Sequence, residues 1–145
     1  MSLSPIPAVI AVVIRDGHTL LVRRANPPDA GLWGFPGGKI EFGETVKDAA
    51  ARELLEETAI RAEARDVLTT LDILVRDSSG DLQQHYILIA VLCRWIAGEP
   101  VAGDDALEAN WFPIAALDPD LLPMSVDVDV IARRALAWAS NLNDS

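Results

Sequence analysis

A single cysteine, Cys93, stands in the 145-residue chain. One thiol cannot close an internal disulfide, so Cys93, inside the apolar run 86–96, reads as a packing residue of a protein kept in a reducing cytosol. Basic residues are also scarce, with 12 Lys and Arg against 22 Asp and Glu, a formal net charge of -10. Such a chain repels DNA, RNA and anionic lipid at long range, so neither a nucleic-acid polymer nor a membrane surface is an expected partner. Long hydrophobic runs are missing too. The longest early one, 6–14, falls short of the roughly 20 residues that cross a bilayer as a helix. No basic n-region with a small-residue cleavage site opens the sequence, so no secretory signal is expected and the cytoplasm is the expected location. Only two histidines occur, His18 and His85. Each stands alone, which argues for structural roles rather than a zinc site.

What is present suits one folded domain over residues 1–145. Half of the residues are hydrophobic, and a chain of this size buries about two-thirds of its unfolded surface. The β-branched run 8–14 ends at Asp16-Gly17 and reads as a strand and turn, with 19–23 as the hairpin partner. Residues 26–43 form a Gly- and Pro-rich loop long enough to suggest function. Residues 45–58 lack Gly and Pro, are rich in Ala, Leu and Glu, and predict a helix with Thr45 as N-cap and Asp48 three residues on. Strands are expected at 66–75 and 83–95, a polar loop at 98–105, a short strand at 110–114 and a closing helix at 126–140. Strands around two separated helices predict an α/β or α+β fold with helices packed on the sheet.

The helix carries the most informative chemistry. Glu53, Glu56 and Glu57 fall within an arc of roughly 100°. Like charges at i, i+3 and i, i+4 destabilise a helix by roughly 0.2–0.5 kcal/mol per pair, and the macrodipole disfavours anions near a C-terminus. A bound cation would remove that cost. All-oxygen ligation suits a hard ion, Mg²⁺ or Mn²⁺. Arg52, one turn before Glu56, can hold one carboxylate by a forked hydrogen bond. Without the preceding loop, a solvated acidic face with an Arg52–Glu56 ion pair would explain the glutamates equally well. That loop reads Trp33-Gly34-Phe35-Pro36-Gly37-Gly38-Lys39. Its glycines let backbone carbonyls approach a cation and backbone amides approach a phosphate. Glu44, at the junction, can pin the loop to the start of the helix.

Together these residues resemble the Nudix signature, G-x5-E-x7-R-E-U-x-E-E-x-G-U with U aliphatic. Gly38, Glu44, Arg52, Glu53, Leu54, Glu56, Glu57 and Ile60 stand in register. The one departure is Ala59 where the family has glycine, at a helix end where a left-handed residue is often needed; alanine there costs about 1 kcal/mol. Trp111-Phe112-Pro113 extends the likeness downstream. The resemblance implies a mixed β-sheet sandwiched between α-helices. It also implies a metal site of Glu53, Glu56 and Glu57 completed by a backbone carbonyl near Gly37 or Gly38, with Arg52 orienting a glutamate and Glu44 supporting the loop. Family members often add an acid from outside the signature: Glu108 is the first candidate here, and Glu99, Asp104 and Asp105 are its rivals.

The activity so implied is Mg²⁺-dependent attack of water on a phosphoanhydride, releasing a nucleoside monophosphate. Glu53 is the first choice for general base and Glu108 the second. Arg23, Arg24, Phe35, Gly37 and Lys39 are the candidate substrate contacts. A surface pair is an equal reading of the two arginines, and packing beneath the loop is the stronger reading of Trp33 and Phe35. Trp95, Trp111 and Trp138 read as core. Likeness to short bacterial ADP-ribose pyrophosphatase-like members favours ADP-ribose. Such enzymes commonly carry a proline about fifteen residues past the signature, however, and none occurs here between Ile60 and Pro100, which keeps (d)NTPs, oxidised ones included, in play. The alternative class is a Nudix-fold module that binds a nucleotide without hydrolysis. Family analogy also allows a homodimer.

Overall fold

A computed structural model of the chain describes residues 3–143. Strands β1 (Ile6–Arg15) and β2 (His18–Arg24) form the expected hairpin. Next come β3 (Trp33–Gly34) and β4 (Gly37–Lys39), helix α1 (Val46–Thr58), the long strands β5 (Arg61–Arg76) and β6 (Leu82–Ala97), β7 (Ala106–Pro113), a 3₁₀ turn at Ile114–Ala116, and helix α2 (Val128–Asn143). The strands build one mixed seven-stranded sheet ordered β3-β2-β1-β6-β5, with β4 on β1 and β7 on β2. Strands β1 and β6 run parallel, and the other pairs are antiparallel.

Side chains alternate across a strand, so β1 divides its apolar residues between two faces. Val9, Ala11 and Val13 pack with Ala49, Ala50 and Leu54 of α1. Val12, with Ile10 and Ile14 beside it, packs with Val128, Ile131, Ala132 and Ala135 of α2. The sheet is therefore sandwiched between the two helices, as the resemblance implies. Thr45 caps α1 as expected: its backbone is extended and its hydroxyl accepts from the Asp48 amide at 3.1 Å. Among the described residues no helix is long and apolar enough to cross a membrane.

Four expectations are adjusted. The loop 26–43 contains β3 and β4, held by β2 and β1; strands of two and three residues, most of them glycine, carry no hydrophobic period of their own. Strands β5 and β6 each run to 16 residues because they pair almost end to end, from Arg61 opposite Ala97 to Arg76 opposite Leu82, with bulges resetting the register. The last strand starts at Ala106, and Ile114 turns into the 3₁₀ element. Cys93 is buried, and desolvation pushes its thiol up to about 12, consistent with packing. Trp95, Trp111 and Trp138 sit at the margins of the two cores rather than inside them.

Candidate active site

A cavity of about 830 Å³ opens beside α1. Glu53, Glu56 and Glu57 line it, with Gly37, Gly38 and Lys39 from β4, Arg24 from the end of β2, and Asp104 and Asp105 from the segment before β7. Phe35 joins its lining and is also buried in the α2-side core. Ile73, Tyr86 and Leu88 contribute apolar lining from β5 and β6. Nothing in the sequence singles out those three; alternation along two paired strands is the signal that could have found them.

Strand β4 lies against β1, so the Gly37-Gly38 backbone comes directly over α1. The Gly37 amide donates to Glu57 Oε2 at 2.6 Å. At Gly38 an added Cβ would lie 2.6–2.7 Å from the Glu53 carboxyl group, so a side chain there would push that carboxylate away from its place beside the strand. Arg52 organises the rest. Its Nε and Nη2 hold Glu44 at 2.6 and 2.9 Å, and its Nη1 holds Glu53 at 2.8 Å and Glu56 at 3.3 Å. Nη2 also donates to the Lys39 carbonyl at 3.1 Å. The fork therefore goes to Glu44 rather than to a helix neighbour, and through it Arg52 ties the loop, β4 and α1 together.

Environment separates the carboxylates. The Arg52 guanidinium holds Glu44 down at about 2. Burial raises Glu53 above the ordinary carboxylate range, against the pull of Arg52. Burial raises Glu57 to about 8, against the Gly37 amide, in a side chain that is 7% exposed. Two partly desolvated carboxylates, the further acids Glu56, Asp104 and Asp105, and a strand of close backbone make an oxygen-rich donor set suited to a hard divalent cation. Among the described residues no three acidic, His or Cys side chains already converge on one point: Glu53 and Glu56 lean on Arg52, and Glu57 on the Gly37 amide.

Other sequence candidates lie elsewhere. Arg23 Nε binds Glu108 Oε2 at 2.7 Å across the β2–β7 pair, and neither lines the cavity. Glu99 pairs with Arg15 at 3.1 Å. Of the four acids weighed outside the signature, Asp104 and Asp105 are the ones in the cavity. Trp33 packs edge-on against Phe112.

The NUDIX domain profile matches residues 4–134. The chain belongs to the Nudix family. Among similar proteins, the ADP-ribose pyrophosphatase of Methanocaldococcus jannaschii is 35% identical over 136 residues, covering 94% of this chain and 76% of the relative. The CTP pyrophosphohydrolase of Escherichia coli is 35% identical over 130 residues, covering 81% of this chain and 88% of the relative. The crystal structure of a MutT NUDIX hydrolase from Burkholderia pseudomallei superposes with a TM-score of 0.76 at 28% identity, covering 90% of this chain and 98% of that one. The protein is a Nudix pyrophosphohydrolase of mixed α+β architecture. Ala59, the departure from the Nudix signature, adopts the left-handed conformation (φ 63°, ψ 8°) that the signature glycine position calls for.

Proposed function

We propose that this Nudix hydrolase cleaves a phosphoanhydride bond in a nucleoside diphosphate derivative, ADP-ribose-like or a (d)NTP, and releases a nucleoside monophosphate. One observation carries the reading: a single cavity of nucleotide size holds the signature acids and an apolar lining of Phe35, Ile73, Tyr86 and Leu88. The similarity to an ADP-ribose pyrophosphatase and to a CTP pyrophosphohydrolase supports both substrate classes.

Glu53, Glu56 and Glu57, with a backbone carbonyl at Gly37 or Gly38, would hold Mg²⁺ or Mn²⁺. Such an ion neutralises phosphate charge and lowers the pKa of water. The chain's own residues do the rest. Arg24 and Lys39 face the phosphates. Arg52 fixes the rotamer of Glu53. Glu53, raised by burial yet held by Arg52, accepts the proton as water oxygen attacks phosphorus and the bridging P–O bond breaks. Asp104, rather than Glu108, is the acid supplied from outside the signature.

The deciding experiment is Mg²⁺-dependent product release from ADP-ribose, NADH, nucleotide sugars, dinucleoside polyphosphates, and canonical and oxidised (d)NTPs, with Glu57→Gln as control. One class turned over by the wild type and lost by at least 100-fold in the variant is the expected result. Activity of Glu57→Gln within tenfold of wild type would falsify the ligand assignment.

A further inference from the structure

Residues 98–105, between β6 and β7, lie across the C-terminal end of α1. The Val101 amide donates to the Thr58 carbonyl at 2.9 Å and the Gly103 amide to the Glu57 carbonyl at 2.8 Å. These carbonyls belong to the last turn, where the acceptors have no amide donor inside the helix. The fit depends on glycine. A Cβ on Gly103 would lie 2.5 Å from the Glu56 carbonyl oxygen, a helix backbone atom that cannot swing aside. At the other end of the segment, a Cβ on Gly98 would meet the Ala59 carbonyl oxygen at 2.9 Å.

Immediately after Gly103 come two of the acids that line the cavity, Asp104 and Asp105. Asp104 has φ 47°, a conformation that non-glycine residues rarely adopt. Its charge reaches Glu53, and that of Asp105 reaches Glu57. Asp105 is fastened to the far wall: its carbonyl accepts from the Ala25 amide at 2.9 Å and its Oδ1 from Asn26 Nδ2 at 3.0 Å. The start of the segment is held as well. Trp95 Nε1 donates to the Gly98 carbonyl at 3.0 Å, and Arg15 lies 3.7 Å over the Trp95 ring while binding Glu99.

We propose that Gly103 is a positioning residue for the hydrolysis: by seating residues 98–105 on the backbone of Glu56 and Glu57, it fixes Asp104 in the cavity beside Glu53. The segment is thus a strut between the end of α1 and the Ala25-Asn26 wall, set by contact with the helix backbone rather than by any side chain of the signature. This rests on reading the cavity as the active site.

The test compares Gly103→Ala, Asn26→Ala, Asp104→Asn, Glu57→Gln and the control Gly80→Ala, which sits at positive φ in the distant β5–β6 turn. Each is assayed with Mg²⁺ on whichever of ADP-ribose, CTP and ATP the wild type turns over best, with kcat and KM separated and thermal unfolding recorded. We expect Gly103→Ala to lower kcat at least tenfold with KM within threefold, Asn26→Ala to lower kcat about threefold to tenfold, and Gly80→Ala to leave kcat unchanged. Gly103→Ala should add little to Asp104→Asn, because both remove the same placed carboxylate. The proposal is overturned if folded Gly103→Ala keeps wild-type kcat, or if its loss multiplies with that of Asp104→Asn. Should Gly103→Ala not fold, Asn26→Ala decides, and an unchanged kcat there overturns it. Wild-type turnover in Glu57→Gln would instead refute the cavity as the active site, whatever Gly103→Ala does.

Discussion

Arg52 is the residue for which several carboxylates compete. Glu44 takes its fork, while Glu53 and Glu56 share the remaining nitrogen. A planar guanidinium can serve loop, strand and helix at once, which an ammonium cannot. Arg52→Lys should therefore leave the protein folded and reduce kcat/KM by roughly 10–100-fold, the usual cost of losing a group that orients a site's carboxylates; steady-state kinetics alongside circular dichroism check it, and kinetics unchanged by the exchange would show that one point charge suffices. The sequence made Arg52 and the three glutamates conspicuous because unfavourable like charges on one helix face need a reason. It could not show where the fork points. Spacing within the helix favoured Glu56, whereas Glu44 arrives from a loop whose path is set by β4 pairing with β1. The same limit explains Glu108: its place in the sequence does not show that its partner across the sheet is Arg23.

At the scale of the element, α1 has one well-made end and one compromised end. Thr45 satisfies the Asp48 amide, so Thr45→Ala should cost about 1 kcal/mol. At the other end Ala59 holds φ 63° and its amide binds the Leu55 carbonyl at 2.9 Å. Alanine in that conformation costs about 1 kcal/mol relative to glycine. Ala59→Gly should thus raise stability by about 1 kcal/mol, and a urea midpoint no higher than wild type would mean that the neighbouring segment already relieves the strain. Both ends were legible, since caps follow from local rules. The strands β3 and β4 were not, because their existence depends on partners distant in sequence. Nor were the full lengths of β5 and β6, where cross-strand pairing extends order beyond the apolar stretches.

For the whole molecule, the carboxylates of the site set two opposing pH dependences. Glu44 is depressed to about 2 from an ordinary value of 4.5, so the unfolded chain binds more protons between those values. The stability it supplies is present above pH 4.5 and is lost as pH falls toward 2. Glu57 is raised to about 8, so in the metal-free protein the folded state holds the extra proton. Its contribution is complete below pH 4.5 and disappears as pH rises through 8. Metal-free protein in EDTA should therefore be most stable near pH 4.5–5, with urea midpoints falling on both sides. Glu44→Gln should flatten the acidic limb alone and Glu57→Gln the alkaline limb alone. Millimolar Mg²⁺ should raise the midpoint at pH 8 and change little at pH 5, since an ionised carboxylate is what a cation selects. The formal net charge of -10 predicts a general loss of stability with rising pH as well, and the Gln variants distinguish the two causes. Removing one exposed acid from the surface, such as Asp120→Asn, leaves the alkaline limb in place, whereas Glu57→Gln should abolish most of it. An alkaline limb unchanged in Glu57→Gln would assign the slope to the diffuse charge of the whole surface rather than to the buried carboxylate that lines the cavity.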